Sequence, residues 1–220
     1  KPIPPSTKVG EAWETALDAV VTNPPYIGRT LGDLTAELGV GFYGTRARAV
    51  MGDRFPLLVK FLDAHAWLSV QVHPDDAYAA AREGGKLGKT EAWRILHTES
   101  HAQIIHGFAR PTDRAAVARA IHDGTLEALT ARVPVRPGDV ILNPAGTIHA
   151  TGAGIVLYEI QEYSDVTYRL HDFGRPGPDG QPRQLHIDQA LDVLDYDPPP
   201  HHTQRAVPIG PRDQTGMDEH

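Results

Sequence analysis

Short apolar segments separated by turn-forming residues run along most of the chain. Seven of them have the length and the Val, Ile, Leu, Tyr and Phe content of β-strands. These segments are 56–63, 67–73, 91–97, 103–108, 139–143, 154–161 and 166–173. Glycine and proline lie between the segments rather than in one linker, which is typical of a β-rich domain with many turns.

Fewer segments carry a helical signal. They are 30–38, 75–83, 113–122, 125–132 and 187–194. The third has a capping residue at Thr112 or Asp113 and ends at Gly124, and the fourth follows it directly. The pattern therefore predicts a mainly β fold with helices inserted around it.

Length and composition fit this picture. The chain has 220 residues, 40% hydrophobic and 22% charged, which is ordinary for one globular domain and excludes a disordered chain. We expect a single domain over 1–196, with a helical insertion around 112–132. The proline-containing segment 197–220 is expected to be a linker or tail.

Charge and residue content exclude several classes of function. The net charge is −7 and no basic run is present, which argues against nucleic acid as a partner. No apolar run approaches the ~18 residues of a membrane helix, so we expect no membrane partner. The chain has no cysteine and 12 histidines, so any metal site must use nitrogen and oxygen ligands.

The segment 67–73 carries the first candidate site. Side chains alternate along a strand, so Ser69, Gln71 and His73 share one face, opposite an apolar face. An edge strand whose polar face meets water would give the same pattern. The alternative is a face that coordinates a metal or binds a polar ligand.

Two further segments bear on the choice between an exposed edge strand and a face that coordinates a metal. Glu91 begins a predicted strand directly after Gly88-Lys89-Thr90, and His149 follows a Pro-x-Gly turn that comes after another strand. Alone, a carboxylate at a strand start is usually only solvated, and a lone histidine after such a turn is more often structural. Together with Gln71 and His73 they supply two imidazoles, a carboxylate and an amide oxygen, all suitable for a divalent metal.

A last pair of residues lies further along the chain. Glu159 is on the predicted strand 154–161, and Arg169 lies on 166–173 after a turn at Ser164-Asp165. A hairpin of these two strands would bring Glu159 and Arg169 to the same end of a barrel. The pair is either an exposed ion pair or a carboxylate for proton transfer beside a guanidinium that stabilises an anion.

These motifs, in this order, resemble the type I mannose-6-phosphate isomerase family in its short bacterial form, which belongs to the cupin superfamily. The matching segments are 54–63, 68–76, 88–91, 138–149 and 164–169, and the resemblance spans roughly residues 10 to 194. It implies a cupin-type β-barrel, or jelly roll, with inserted α-helices. It further implies interconversion of mannose 6-phosphate and fructose 6-phosphate through a cis-enediol, with one zinc ion or another divalent metal per chain.

The resemblance also implies a role for each matched residue. The metal ligands would be Gln71, His73, Glu91 and His149. Arg169 and Glu159 match catalytic positions, and Lys89 is a second candidate for the base. Ser69, Lys89 and Arg169 lie where the family binds the sugar phosphate and its phosphate group. The expected partner is thus a small-molecule sugar phosphate, and the expected location is the cytoplasm.

Two other functions fit part of the pattern. One is a non-catalytic module that binds sugar phosphates, which loss of Glu159 or Arg169 would have favoured. The other is an iron-dependent cupin oxygenase, although Lys89, Arg169 and Ser69 suit an anionic polyol better than an apolar substrate. Family members of this form carry a second, C-terminal cupin-like half, which we expect to be absent from this chain.

Overall fold

The computed structural model describes residues 9–53, 55–177, 179–199 and 204–205. Eleven strands and six α-helices are assigned within these ranges. The strands are β1 (Glu11–Trp13), β2 (Leu57–Ala64), β3 (Val70–Val72), β4 (Glu91–Thr98), β5 (Gln103–Phe108), β6 (Thr130–Pro134), β7 (Asp139–Asn143), β8 (His149–Thr151), β9 (Ile155–Glu162), β10 (Tyr168–His171) and β11 (Gln204–Arg205). The helices are α1 (Leu31–Leu38), α2 (Val40–Tyr43), α3 (Thr45–Met51), α4 (Asp76–Arg82), α5 (Arg114–His122) and α6 (Ile187–Val193).

The strands form two antiparallel sheets. One has the order β1-β2-β9-β4-β7-β11 and the other the order β10-β3-β8-β5-β6. Each of the seven predicted strands is present, and two of them, β5 and β7, have the predicted bounds. The mainly β prediction is confirmed.

Apolar side chains pack on both sides of the five-stranded sheet. Between the sheets lie residues such as Trp93, Ile104 and Ile141, whose side chains are almost completely buried. On the other side, Val70 and Val72 pack with α5 and α6. Both faces of this strand are covered. Its apolar residues point toward the helices and its polar residues point between the sheets, so the alternation predicted for 67–73 is present.

Local sequence explains the helix starts. Thr30 and Asp33 form a reciprocal capping box at α1. Asp75 caps α4, and Asp113 rather than Thr112 caps α5 by accepting a hydrogen bond from the backbone N–H of Ala116 at 2.8 Å. These caps fix the helix starts near the predicted positions.

The helix predicted over 125–132 is wrong. A short 3-10 helix covers Leu126–Leu129, and the chain then continues as β6, which pairs with β5 in antiparallel register. Thr130 and Val133 are β-branched and occur where β5 has a free edge, so sheet pairing prevails over the local helical pattern.

The hairpin predicted from strands 154–161 and 166–173 is also wrong. β9 pairs with β2 on one edge and β4 on the other, so neither edge is available to β10. β10 instead pairs with β3 in the opposite sheet. The connection is held in this crossing path because the Ser164 hydroxyl donates to the Leu87 carbonyl at 2.7 Å, and Gln161 Nε2 donates to the Ser164 carbonyl at 2.6 Å.

Part of the predicted tail can be described. Backbone of Gln204 and Arg205 pairs with β7, and Pro199 lies against Gly107, where an added Cβ would come within 2.2 Å of the proline ring. The rest of 197–220, namely 200–203 and 206–220, lies outside the described residues, as does Arg54 of the segment 54–63. The domain limits and the absence of a second half stay predictions.

None of the helices in the described part of the chain has the length and apolar character that are needed to cross a bilayer.

Candidate metal centre and catalytic cavity

Three buried residues form a compact group between the two sheets. His73 follows β3, Glu91 begins β4 and His149 begins β8, and one potential ligand atom from each lies within 4.8 Å of the others. The Glu91 carboxylate faces both imidazoles, with Oε2 at 3.4 Å from His73 Nε2 and Oε1 at 3.2 Å from His149 Nε2. Each of the three side chains is at most 1% exposed.

Backbone carbonyls orient both imidazoles. His73 Nδ1 lies 2.9 Å from the Val166 carbonyl oxygen, and His149 Nδ1 lies 2.9 Å from the Thr147 carbonyl oxygen. A carbonyl only accepts hydrogen bonds, so each Nδ1 carries a proton and donates it. With the proton on Nδ1, the Nε2 atom of each ring faces the Glu91 carboxylate.

This arrangement fits a cation. Burial, followed by the nearby Lys89 charge, lowers the pKa of His73 to about 3, so its ring is neutral at pH 7. Burial raises the pKa of Glu91, but the Lys89 ammonium and the two histidine side chains that face the carboxylate outweigh it and hold that pKa well below its usual range. His73 Nε2 has no hydrogen-bond partner among the described residues. A lone pair facing a carboxylate in a buried site is favourable when a metal ion lies between them.

Gln71 lies beside this group, as the sequence predicted. It pairs with His149 across β3 and β8, and its Nε2 is 3.2 Å from His149 Nε2, to which it donates. Its Oε1 accepts a hydrogen bond from Ser69 Oγ at 3.2 Å. Because a hydroxyl both donates and accepts, Ser69 can hold either orientation of the amide. Rotation of the amide would present Oε1 to the group.

A chain of buried charges leads away from the metal centre. Lys89 Nζ is 2.8 Å from Glu91 Oε2 and 3.9 Å from Glu159 Oε1. Lys60 Nζ lies 3.1 Å from the same Glu159 oxygen, and Trp93 Nε1 donates to Glu159 Oε2 at 2.9 Å. Glu159 is therefore held between two ammonium groups and an indole.

Glu159 has a perturbed acidity. Burial and the neighbouring Glu91 charge raise its pKa, although Lys89 and Lys60 oppose the shift. A carboxyl group with a raised pKa in a cavity is suited to accept and return a proton.

The sequence reasoning missed Lys60. On β2 this lysine shares its face with Leu58 and Leu62, which point between the sheets. A lysine on the apolar face of a strand was the signal that could have identified it.

Arg169 is partly exposed to solvent. Its Cα is the register partner of Gln71, and its guanidinium donates to the Gln184 carbonyl at 2.8 Å. The Arg169 Nε is buried and has no hydrogen-bond partner among the described residues. Burial and the positive charge of Arg183 lower the pKa of Arg169, although a guanidinium stays charged.

These residues surround one cavity of about 510 Å³. The predicted residues Ser69, Gln71, Lys89, Glu159 and Arg169 all line it. Additional lining side chains that the sequence reasoning missed are Glu11, Lys60, Trp93, Arg175 and Arg183. Glu159 and Arg169 therefore share a cavity although they lie on opposite sheets.

The chain is similar in sequence to known isomerases. Residues 3–103 match the family described as phosphomannose isomerase type I, catalytic domain. The chain is 43% identical over 195 residues to mannose-6-phosphate isomerase ManA of Bacillus subtilis, covering 87% of this chain and 60% of that protein. It thus spans about three fifths of the length of that relative.

Solved structures show the same fold. A crystal structure of the mannose 6-phosphate isomerase from Bacillus subtilis has a TM-score of 0.78 at 38% identity, covering 90% of this chain and 61% of that one. A zinc-bound mannose 6-phosphate isomerase is 15% identical with a TM-score of 0.61, covering 86% of this chain and 67% of that one. By sequence and by its cupin-type fold, the chain is similar to type I phosphomannose isomerases over about three fifths of their length.

Proposed function

We propose that this chain carries the active site of a metal-dependent aldose–ketose isomerase that interconverts mannose 6-phosphate and fructose 6-phosphate. The observation that carries the proposal is one cavity lined by a carboxylate of raised pKa and an incompletely paired arginine, with a buried His-Glu-His group next to it, in contact with the lining residues Gln71 and Lys89. Metal, proton acceptor and anion stabiliser are the three parts that this isomerisation requires.

The ligands we propose are His73, Glu91, His149 and, after rotation of its amide, Gln71. The donor set holds only nitrogen and oxygen atoms, with two imidazoles whose Nδ1–H groups are already bound by carbonyls. Zinc accepts such a set and leaves a position open for substrate, and the fold is shared with a zinc-bound isomerase. When bound, the ion would act as a Lewis acid on the substrate oxygens.

We assign the proton transfer between C1 and C2 to Glu159. Lys89, the alternative base, is 5% exposed and its ammonium is engaged by Glu91 at 2.8 Å, so it is better placed to hold positive charge beside the reacting carbons. Lys60 and Trp93 orient the Glu159 carboxylate. Arg169, across the cavity, would stabilise negative charge on the cis-enediol oxygens.

Ser69 acts, in this proposal, through the Gln71 amide and lines the cavity as a polar contact for the sugar. The expected cytoplasmic location stays a prediction.

A coupled assay for fructose 6-phosphate tests the proposal. Zinc-loaded protein should convert mannose 6-phosphate, excess chelator should abolish turnover, and added zinc should restore it. Glu159→Gln, which preserves the shape of the side chain, should lower kcat by about 10²–10⁴-fold because general acid–base catalysis contributes that much. Folded protein that holds one metal without turnover would instead indicate the binding module.

A further inference from the structure

Beyond the metal centre, the same cavity contains a second group of charges. Arg175 and Arg183 line the cavity together with Arg169, and neither of them lies on a regular strand or helix. Asp172, which is 7% exposed, lies directly behind them.

Asp172 fixes the positions of both arginines. Its Oδ1 accepts hydrogen bonds from Arg175 Nε at 3.2 Å and from Arg175 Nη2 at 2.7 Å. Arg183 Nε donates to Oδ2 at 2.6 Å, and Arg183 Nη2 donates to Oδ1. Two guanidinium groups on one carboxylate leave a net positive charge, and Arg169 adds a third cation nearby.

The backbone brings these residues together. A bridge between Pro176 and Pro182 closes a small turn, so Arg175 and Arg183 emerge side by side at its base. Next to Asp172, Phe173 has a positive φ of 52° and packs on Trp67 with a ring separation of 5.7 Å. A non-glycine residue in the left-handed region is strained and is retained where the surroundings fix it, often at a ligand site.

The other cations of the cavity are already occupied. Lys89 and Lys60 are in contact with buried carboxylates at 2.8 and 3.1 Å. The side chains of Arg175 and Arg183 also pair with a carboxylate, but they are about 28% and 32% exposed, against 6% for Lys89 and 13% for Lys60. An anion entering the cavity would therefore meet the arginines, and not the lysines, as its available donors.

We infer that Arg175 and Arg183 form the subsite for the phosphate group of the sugar phosphate, with Asp172 as the residue that positions them. This assignment rests on the proposed function and replaces Ser69 and Lys89 as the predicted phosphate contacts. Arginine suits this role because its planar fork binds phosphate oxygens in a bidentate manner. One carboxylate shared by two guanidinium groups holds both in place before the substrate arrives.

Kinetics and binding test the inference together. Arg175→Gln and Arg183→Gln should each raise KM for mannose 6-phosphate by about 10- to 100-fold, with kcat changed far less, because each loses a charged hydrogen bond to the substrate. Both should also weaken binding of inorganic phosphate to metal-free protein in calorimetry. Lysine at either position should recover part of the affinity, which a purely structural effect would not produce.

For Asp172→Asn, the direction of the change in phosphate affinity shows whether the carboxylate positions the arginines. Removing a charge that merely repels phosphate would tighten phosphate binding, whereas removing a positioning carboxylate should weaken it. Arg114→Gln is the matched control, since Arg114 forms an exposed ion pair with Asp192 at 2.8 Å away from this cavity. It should change neither KM nor phosphate affinity.

The outcomes separate the two proposals. Phosphate binding that depends on Arg175 and Arg183, without any turnover in wild-type protein, would overturn the isomerase and support the subsite. Turnover with an unchanged KM in both arginine variants would overturn the subsite and leave the isomerase standing. Tighter phosphate binding by Asp172→Asn would overturn the positioning role.

Discussion

Replacing Lys89 with methionine tests how the charges of the metal centre depend on one another. The Lys89 ammonium is buried and lies 2.8 Å from the Glu91 carboxylate. In metal-free protein the substitution leaves Glu91 without its nearest cation. Breaking a buried pair in this way costs about 3–5 kcal/mol of unfolding free energy.

Metal-loaded protein should respond differently. A bound divalent cation neutralises the Glu91 charge, so the loss of Lys89 should cost less. We expect a difference between the two forms of about 2–3 kcal/mol, because part of the unpaired-charge penalty disappears. By linkage, Lys89→Met should bind zinc about 30- to 150-fold more tightly, since 1.4 kcal/mol is a factor of ten. Turnover should nevertheless fall.

Guanidinium unfolding with excess chelator and with saturating zinc measures both quantities, and a competitive zinc indicator checks the affinity. Lys86→Met is the control: Lys86 also lies 2.8 Å from a carboxylate, that of Asp165, but both partners are at least half exposed. Exposed pairs contribute about 0–1 kcal/mol, so this variant should be nearly neutral in either form. Weaker zinc binding by Lys89→Met would refute the reasoning.

Three further predictions concern stability. The pKa of His73 is about 3 in the folded protein against an ordinary 6.5, so the unfolded chain gains a proton first as pH falls. Below pH 6.5, metal-free protein should therefore lose up to about 1.4 kcal/mol of unfolding free energy per pH unit from His73. His73→Asn should flatten that slope in urea titrations. Trp93→Phe removes the donor to buried Glu159 and should cost about 1–3 kcal/mol in thermal or chemical unfolding, with a smaller loss in Glu159→Gln background. Gly152→Ala places a Cβ 1.9 Å from the Gln103 carbonyl oxygen and should cost about 1–3 kcal/mol or more, whereas Gly41→Ala, with open space around it, should cost nothing measurable; equal stability of the two variants would contradict the packing argument.

Sequence patterns predicted those parts of the fold that depend on local chemistry. Strand-forming segments such as 103–108 and 139–143 have the predicted bounds because their β-branched residues lie together between turn residues. The four ligand candidates converge because each lies at a strand end or on a strand face that points between the sheets. The proximity of these side chains in the interior is therefore predictable from the sequence pattern, and their role as metal ligands stays a proposal.

Long-range pairing was not predictable in the same way. The pattern could not show that β9 has both edges occupied, so the supposed hairpin of β9 and β10 was wrong. Arg175 and Arg183 lie in irregular chain without periodicity, and only the turn closed at Pro176 and Pro182 brings them together. Their proximity depends on contacts that local sequence patterns do not encode.

The candidate metal ligands are divided between the two sheets. His149 begins a strand of the five-stranded sheet and His73 directly follows one, whereas Glu91 begins a strand of the six-stranded sheet. A bound ion would therefore act as a cross-link through the interior, joining two layers that otherwise meet through side-chain packing. Slow amide hydrogen exchange of strands β3, β4 and β8 should consequently depend on metal occupancy, since separation of the layers would require the ion to leave first.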